Sequence, residues 1–207
     1  NTVLYTGDGA ASNAITGVGF QPDFLWIKNR TSAEYNRSVS VLRGATKFLA
    51  SNSPTGSLTD TTMVQSFDSD GFTVGSSNET NKNTDSLVSW NWKAGGAGVA
   101  NTDGTNIDSV VSVNTTAGFS ICTYTGTGTN ADSFGHGLAS APELVLVKRL
   151  DAVGDWQIGS NYIQASSDWT HVIELNLTGA AADSNIRWND TAASASVVTL
   201  GTTANVN

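Results

Sequence analysis

The chain has 207 residues, with 14% charged and 39% hydrophobic side chains, a formal net charge of −8 and a pI near 4.5. That acidic balance argues against nucleic acid or an anionic membrane surface as a partner, because phosphate binding needs clustered Lys and Arg. One cysteine, Cys122, excludes an intrachain disulfide framework, and no apolar run approaches the roughly 18 residues of a membrane span, so no membrane insertion is expected.

Taken in chain order, Thr2-Val3-Leu4-Tyr5 reads as a strand, and Gly7-Asp8-Gly9 as a hairpin turn. Behind Pro22 comes Phe24-Leu25-Trp26-Ile27-Lys28, a continuous apolar run that predicts a central strand buried on both faces, with Trp26 in the core. The stretch from Val39 to Ala50 fits a strand or a single helical turn. Turn clusters follow at Asn52-Ser53-Pro54-Thr55-Gly56 and at Asp68-Ser69-Asp70-Gly71. Leu87-Val88-Ser89-Trp90-Asn91-Trp92 reads as a strand whose Trp90 and Trp92 share one face, where core packing is expected.

Residues 95–116, rich in Gly, Asn and Thr, read as a linker, although 108–114 are strand-like. Beyond them the chain repeats itself. Tyr124-Thr125-Gly126-Thr127-Gly128 follows Tyr5-Thr6-Gly7-Asp8-Gly9 at an offset of 119, and Pro142-Glu143-Leu144-Val145-Leu146-Val147-Lys148 follows Pro22 to Lys28 at 120. A period that long means tandem domains rather than a solenoid. The organisation expected is a first module over 1–94, the linker, and a second module over 117–207. Short strands cut by Gly, Asn and Asp clusters make the class all-β, as tandem antiparallel β-sandwiches. The second copy shows no counterpart of Leu87 to Trp92, so it is expected to be truncated, either as a piece of a longer polypeptide, the favoured reading, or completed by another chain.

Candidate chemistry is sparse. His136 aligns with Val18 of the first copy, which makes it a structural or surface histidine rather than a module-wide base. Paired His or Cys spacings of zinc sites are missing, and Asp68-Ser69-Asp70-Gly71 lacks the later acidic ligand of a calcium loop, so a type I turn is expected there and no cofactor or metal anywhere. Asp23 and Glu143 align with one another in different copies, a poor arrangement for the paired carboxylates of a glycosidase. Cys122 reads as a small buried residue. Of six tryptophans, Trp156, Trp169 and Trp188 stand among polar neighbours and are the candidates for exposed contact with a ligand.

Gly19-Phe20-Gln21-Pro22-Asp23-Phe24-Leu25-Trp26-Ile27-Lys28-Asn29-Arg30-Thr31, Arg43-Gly44-Ala45-Thr46-Lys47, Ser66 to Gly75, Trp92-Lys93-Ala94-Gly95-Gly96 and Asn114 to Ser120 resemble a family of repeated domains in structural proteins of tailed bacteriophages, especially marine ones. The resemblance covers almost the whole chain. It implies concanavalin-like jelly-roll modules in a virion protein of tail-fibre type, without catalytic residues to carry over. By the same resemblance the expected function is non-enzymatic host-surface attachment, with a capsid or tail decoration role as the alternative and a carbohydrate-active enzyme as the weakest. The partners implied are copies of the chain, as a trimer by analogy, other virion proteins and a host-surface glycan; the implied location is the extracellular virion.

Overall fold

Short runs of Val, Ile, Leu, Phe and Thr, too brief for a helix and broken by Gly, Asn and Asp, leave this chain little besides strand and turn to adopt. A computed structural model describes residues 1–163 and 169–207. It divides into two units: Asn1–Ser53 with Ser57–Ala97, and Gly98–Asn207 with Pro54–Gly56.

Unit 1 holds β1 (Thr2–Thr6), β2 (Asn13–Thr16), β3 (Phe24–Asn29), β4 (Arg37–Ser40), β5 (Lys47–Ala50), β6 (Leu58–Thr59), β7 (Val64–Asp68), β8 (Gly71–Val74), a one-turn α1 (Asn78–Asn81) and β9 (Ser86–Trp92). One sheet has six strands in the order β1-β9-β3-β4-β5-β6 and the other three, β2-β8-β7, all antiparallel. Leu25, Ile27, Val39, Phe48 and Leu87 of the larger sheet share a core with Ile15, Val64, Phe72 and Val74 of the smaller. β9 lies between β1 and β3, in register Tyr5↔Leu87 and Leu25↔Asn91, and so ties the start of the unit to its middle.

Unit 2 holds β10 (Val99–Asn101), β11 (Asn106–Ile107), β12 (Ser109–Asn114), β13 (Phe119–Tyr124), β14 (Ser133–Gly135), β15 (Leu144–Val147), β16 (Gln157–Ser160), β17 (His171–Glu174), β18 (Ala182–Asp183), a one-turn α2 (Asn185–Trp188) and β19 (Val197–Thr199). Its sheets are β10-β12-β13, β11-β14-β19 and β15-β16-β17-β18, antiparallel except for the two-residue β11–β14 ladder. Ile107, Phe134, Val147, Trp169, Trp188, Val198 and Leu200 form its core.

Three expectations change. The expected linker over 95–116 holds two strands besides its strand-like 108–114: Val99–Asn101 pairs with β12, and Asn106–Ile107 brings Ile107, 2% exposed, into the core. The run Phe24 to Lys28 is buried on one face only, with Leu25 and Ile27 fully inside and Phe24, Trp26 and Lys28 partly open. Gly7-Asp8-Gly9 joins strands of different sheets and is no hairpin; Gly126-Thr127-Gly128 likewise leads from β13 to another sheet. By contrast, Asp68 to Gly71 is the turn of the β7–β8 hairpin, and the Asp70 carboxylate accepts the Gly17 and Gly19 N–H groups at 3.1 and 2.6 Å.

Candidate ligand-binding face

The three tryptophans expected to be exposed are buried. Trp156, Trp169 and Trp188 are 7%, 1% and 0% exposed. Polar residues close to them in sequence are therefore no sign of exposure to water. Trp169 Nε1 donates to Asn161 Oδ1 at 2.7 Å, and the Trp169 and Trp188 rings meet edge to face, 5.4 Å between centroids. Gly159 makes this possible: a Cβ there would sit 2.5 Å from the Trp169 ring.

The open aromatic surface lies elsewhere. Alternation along β3 and β9 turns Leu25, Ile27, Leu87, Ser89 and Asn91 inward and Phe24, Trp26, Trp90 and Trp92 outward. The registers Trp26↔Trp90 and Phe24↔Trp92 place these rings directly opposite one another on neighbouring strands. Trp26 and Trp90 pack edge to face at 6.1 Å and 64°, Phe24 and Trp92 at 5.5 Å and 63°. Trp26 Nε1 donates to Ser51 Oγ at 3.0 Å, which fixes the orientation of the indole. Trp90 is 37% exposed, and Leu4, on the neighbouring strand β1, 63%. Asp23, at the foot of β3, is buried and accepts the Ala94 N–H at 2.7 Å and the Gly96 N–H at 3.2 Å, which pins the end of β9 beside Trp92.

None of the outward residues of β1, β3 and β9 (Thr2, Leu4, Thr6, Phe24, Trp26, Lys28, Ser86, Val88, Trp90, Trp92) is a carboxylate. The Lys28 ammonium is spent on the Glu34 carbonyl at 3.0 Å. This face can therefore offer π-faces and hydroxyls to a ligand, and an apolar C–H face is what such rings receive. The pattern does not recur in unit 2, where Leu144 and Leu146 stand at the positions of Phe24 and Trp26. The frame is duplicated and the aromatic face is not.

The remaining reactive side chains are engaged structurally. His136 is buried, its Nδ1 accepting the Leu138 N–H at 3.1 Å, so that Nε2 donates to the Ser194 carbonyl at 3.2 Å. Burial lowers its pKa from the ordinary 6.5, outweighing Ser194 and Asp103, which raise it. Burial pushes the Cys122 thiol up, against a smaller opposite pull from Ser120, so the unreactive protonated form prevails. Among the described residues no group of three His, Cys, Asp or Glu side chains is placed to hold a metal ion.

Sequence reasoning missed a second paired feature. Asn81 is fully buried: its Oδ1 accepts the Asp8 N–H at 3.1 Å and its Nδ2 donates to Asp8 Oδ1 at 2.8 Å. Asn207 does the same for the other copy, accepting the Thr127 and Gly128 N–H groups at 2.7 and 3.0 Å. Tyr5 Oη donates to the Thr80 carbonyl and Tyr124 Oη to the Val206 carbonyl, at 2.7 and 2.5 Å. The signal was present as Thr80-Asn81 and Val206-Asn207, one shared asparagine with no flanking motif to draw attention to it.

No curated protein and no solved structure matches the chain. A family model does, over residues 1–207, and the chain with its doubled Tyr–Asn frame thus belongs to the family described as a domain of unknown function, DUF7483.

Proposed function

We propose that this chain is a non-enzymatic protein of a bacteriophage virion, part of a tail-fibre or spike-type appendage, and that the Trp26–Trp90 face of unit 1 contacts a glycan on the host surface. The single observation that carries the adhesion reading is that face: oriented tryptophans, one of them more than a third open, on a sheet surface without a carboxylate. The resemblance of Gly19 to Thr31 and of Ser66 to Gly75 to repeated phage domains supports the virion setting. Unit 1, with six strands facing three across one core, is compatible with the concanavalin-like jelly roll that the resemblance implies. One aromatic face per chain gives a weak site. Self-association, as a trimer by analogy, would raise it to useful avidity by repetition.

The test is a titration of the chain with soluble host-surface polysaccharides, read by tryptophan emission and by backbone amide shifts. The expected result is a change confined to β3 and β9. Trp90→Ala should weaken binding about fivefold, the scale of the roughly 1 kcal/mol that an aromatic contact contributes. Glycans that leave the Trp26 and Trp90 signals unmoved would overturn adhesion at this face. A structural role in the tail or capsid is the second reading, favoured by the unpaired sheet edge in unit 2 described next.

A further inference from the structure

In unit 1 the equivalent positions show what unit 2 lacks. β1 and β3 belong to one sheet because β9 lies between them and pairs with both. Their counterparts β13 and β15, matched through Tyr5 with Tyr124 and Pro22 with Pro142, belong to two separate sheets. β13 pairs with β12, and β15 with β16; among the described residues no strand lies between them. The consequence is visible in exposure. Leu25 is 0% exposed, while its counterpart Val145 is only partly buried; Ile27 is 0% and Val147 8%. Leu144 and Leu146 are 57% and 41% exposed. By equivalence with Phe24 and Trp26, which lie opposite Trp92 and Trp90 on β9, their backbone N–H and C=O groups face the open edge.

An unpaired central edge between two sheets is a template for one more strand. We infer that the gap between β13 and β15 is a strand-acceptor site, and that its occupant is an extended segment of the β9 type, antiparallel to both neighbours. The internal copy specifies the occupant. Leu87 in β9 faces Tyr5 and Asn29, Ser89 faces Val3 and Ile27, and Asn91 faces Leu25. Carried over, the occupant places a large apolar side chain beside Tyr124, a small one between Cys122 and Val147, and a small amide or hydroxyl beside Val145. Main-chain hydrogen bonds on both sides would supply affinity, and the apolar-small-small inward alternation would supply selectivity, as in strand addition generally. Unit 1 cannot compete for such a segment, because its own slot is filled. The inference does not depend on glycan binding at Trp90.

The experiment is native-state amide exchange on the 207-residue chain, with and without a synthetic peptide spanning Ser86 to Trp92. The expected result is at least a tenfold gain in protection at the Leu144 and Leu146 amides, with none in β3. The same peptide carrying Trp90→Pro, which loses a ladder donor, should leave both amides unchanged. Unaltered exchange at Leu144 and Leu146 with saturating peptide would overturn the proposal. Amides already protected in a free chain that light scattering shows to be monomeric would overturn it too, whereas protection that comes with dimerisation would support it, with a second copy's strand in the slot.

Discussion

Arg37 is a buried charge held on several sides at once. It lies on the inner face of β4, 8% exposed, and its guanidinium grips both oxygens of Glu79 from α1. It also lies over the Phe48 ring at 4.5 Å and the Tyr35 ring at 4.9 Å. A planar guanidinium can do all of this at once, and an ammonium cannot. Arg37→Ala leaves Glu79 charged and nearly enclosed, so urea unfolding should report a loss of about 3 kcal/mol or more. Arg37→Met with Glu79→Leu removes both charges and should recover most of that loss. A double variant as weak as the single one would mean that packing, not charge, holds α1 to β4. Trp188 offers a second residue-scale test. It is fully buried, and its Nε1 has no hydrogen-bond partner among the described residues. Trp188→Ala should cost about 3–5 kcal/mol through the cavity it leaves. Trp188→Phe should cost far less, because it also removes an unpaired N–H. Thermal unfolding of the two variants separates these outcomes. This burial was hidden in the sequence, where Trp188 stands between Arg187 and Asn189. Neighbours in sequence report the local turn, whereas Gly159 and Trp169, distant in sequence, decide whether the ring meets water.

At the scale of the element, β9 shows what a linear reading recovers and what it misses. Its position as a strand is plain from Leu87, Val88 and the two tryptophans, and the absence of a counterpart from the second copy is just as plain. Its inner face is not legible, because it is carried by Leu87, Ser89 and Asn91, two of them polar. Ser89 and Asn91 are buried at 0% and 2%, and Asn91 Nδ2 bonds the Asn1 carbonyl and Ser89 Oγ. Hydrophobic patterning therefore assigns the tryptophans to the core, when hydrogen-bonding polar side chains occupy it and the aromatic rings take the open face. The same inversion misplaced Trp26. Because β9 hydrogen-bonds on both edges, Ser89→Pro removes a ladder donor and should unfold unit 1 while leaving unit 2 intact. Amide spectra would check this: the signals of β1 to β8 should collapse and those of β14 and β19 persist.

Across the whole chain, the sequence repeat and the missing β9 counterpart were legible, and the divergence of the aromatic face and of the ionisable groups was not. Tyr5 with Asn81 and Tyr124 with Asn207 preserve one frame, while the aromatic face and the β9 slot have diverged. The ionisable groups whose pKa the fold lowers have diverged as well, and this makes the units respond differently to acid. In unit 1 the Ala10 N–H and the Asn81 amide hold Asp8 below the usual carboxylate range, and the Ser32 hydroxyl and the Asn29 amide do the same for Asp85. In unit 2 Thr127 and Asn106 lower Asp132, and burial lowers His136. Every one of these shifts is downward, so the unfolded chain binds more protons and stability falls with falling pH. The windows differ. The carboxylates contribute fully above their ordinary value of 3.8 and lose that contribution only below it. His136 contributes fully above its ordinary 6.5 and loses its share as pH falls through its lowered value. Between pH 7 and pH 5, opening free energies from amide exchange should therefore decline in β14 and β19 and stay level in β2 and β8. His136→Gln should flatten the unit 2 slope even if its baseline stability is lower. A slope that survives that substitution, or a decline that begins in unit 1, would remove His136 as the cause.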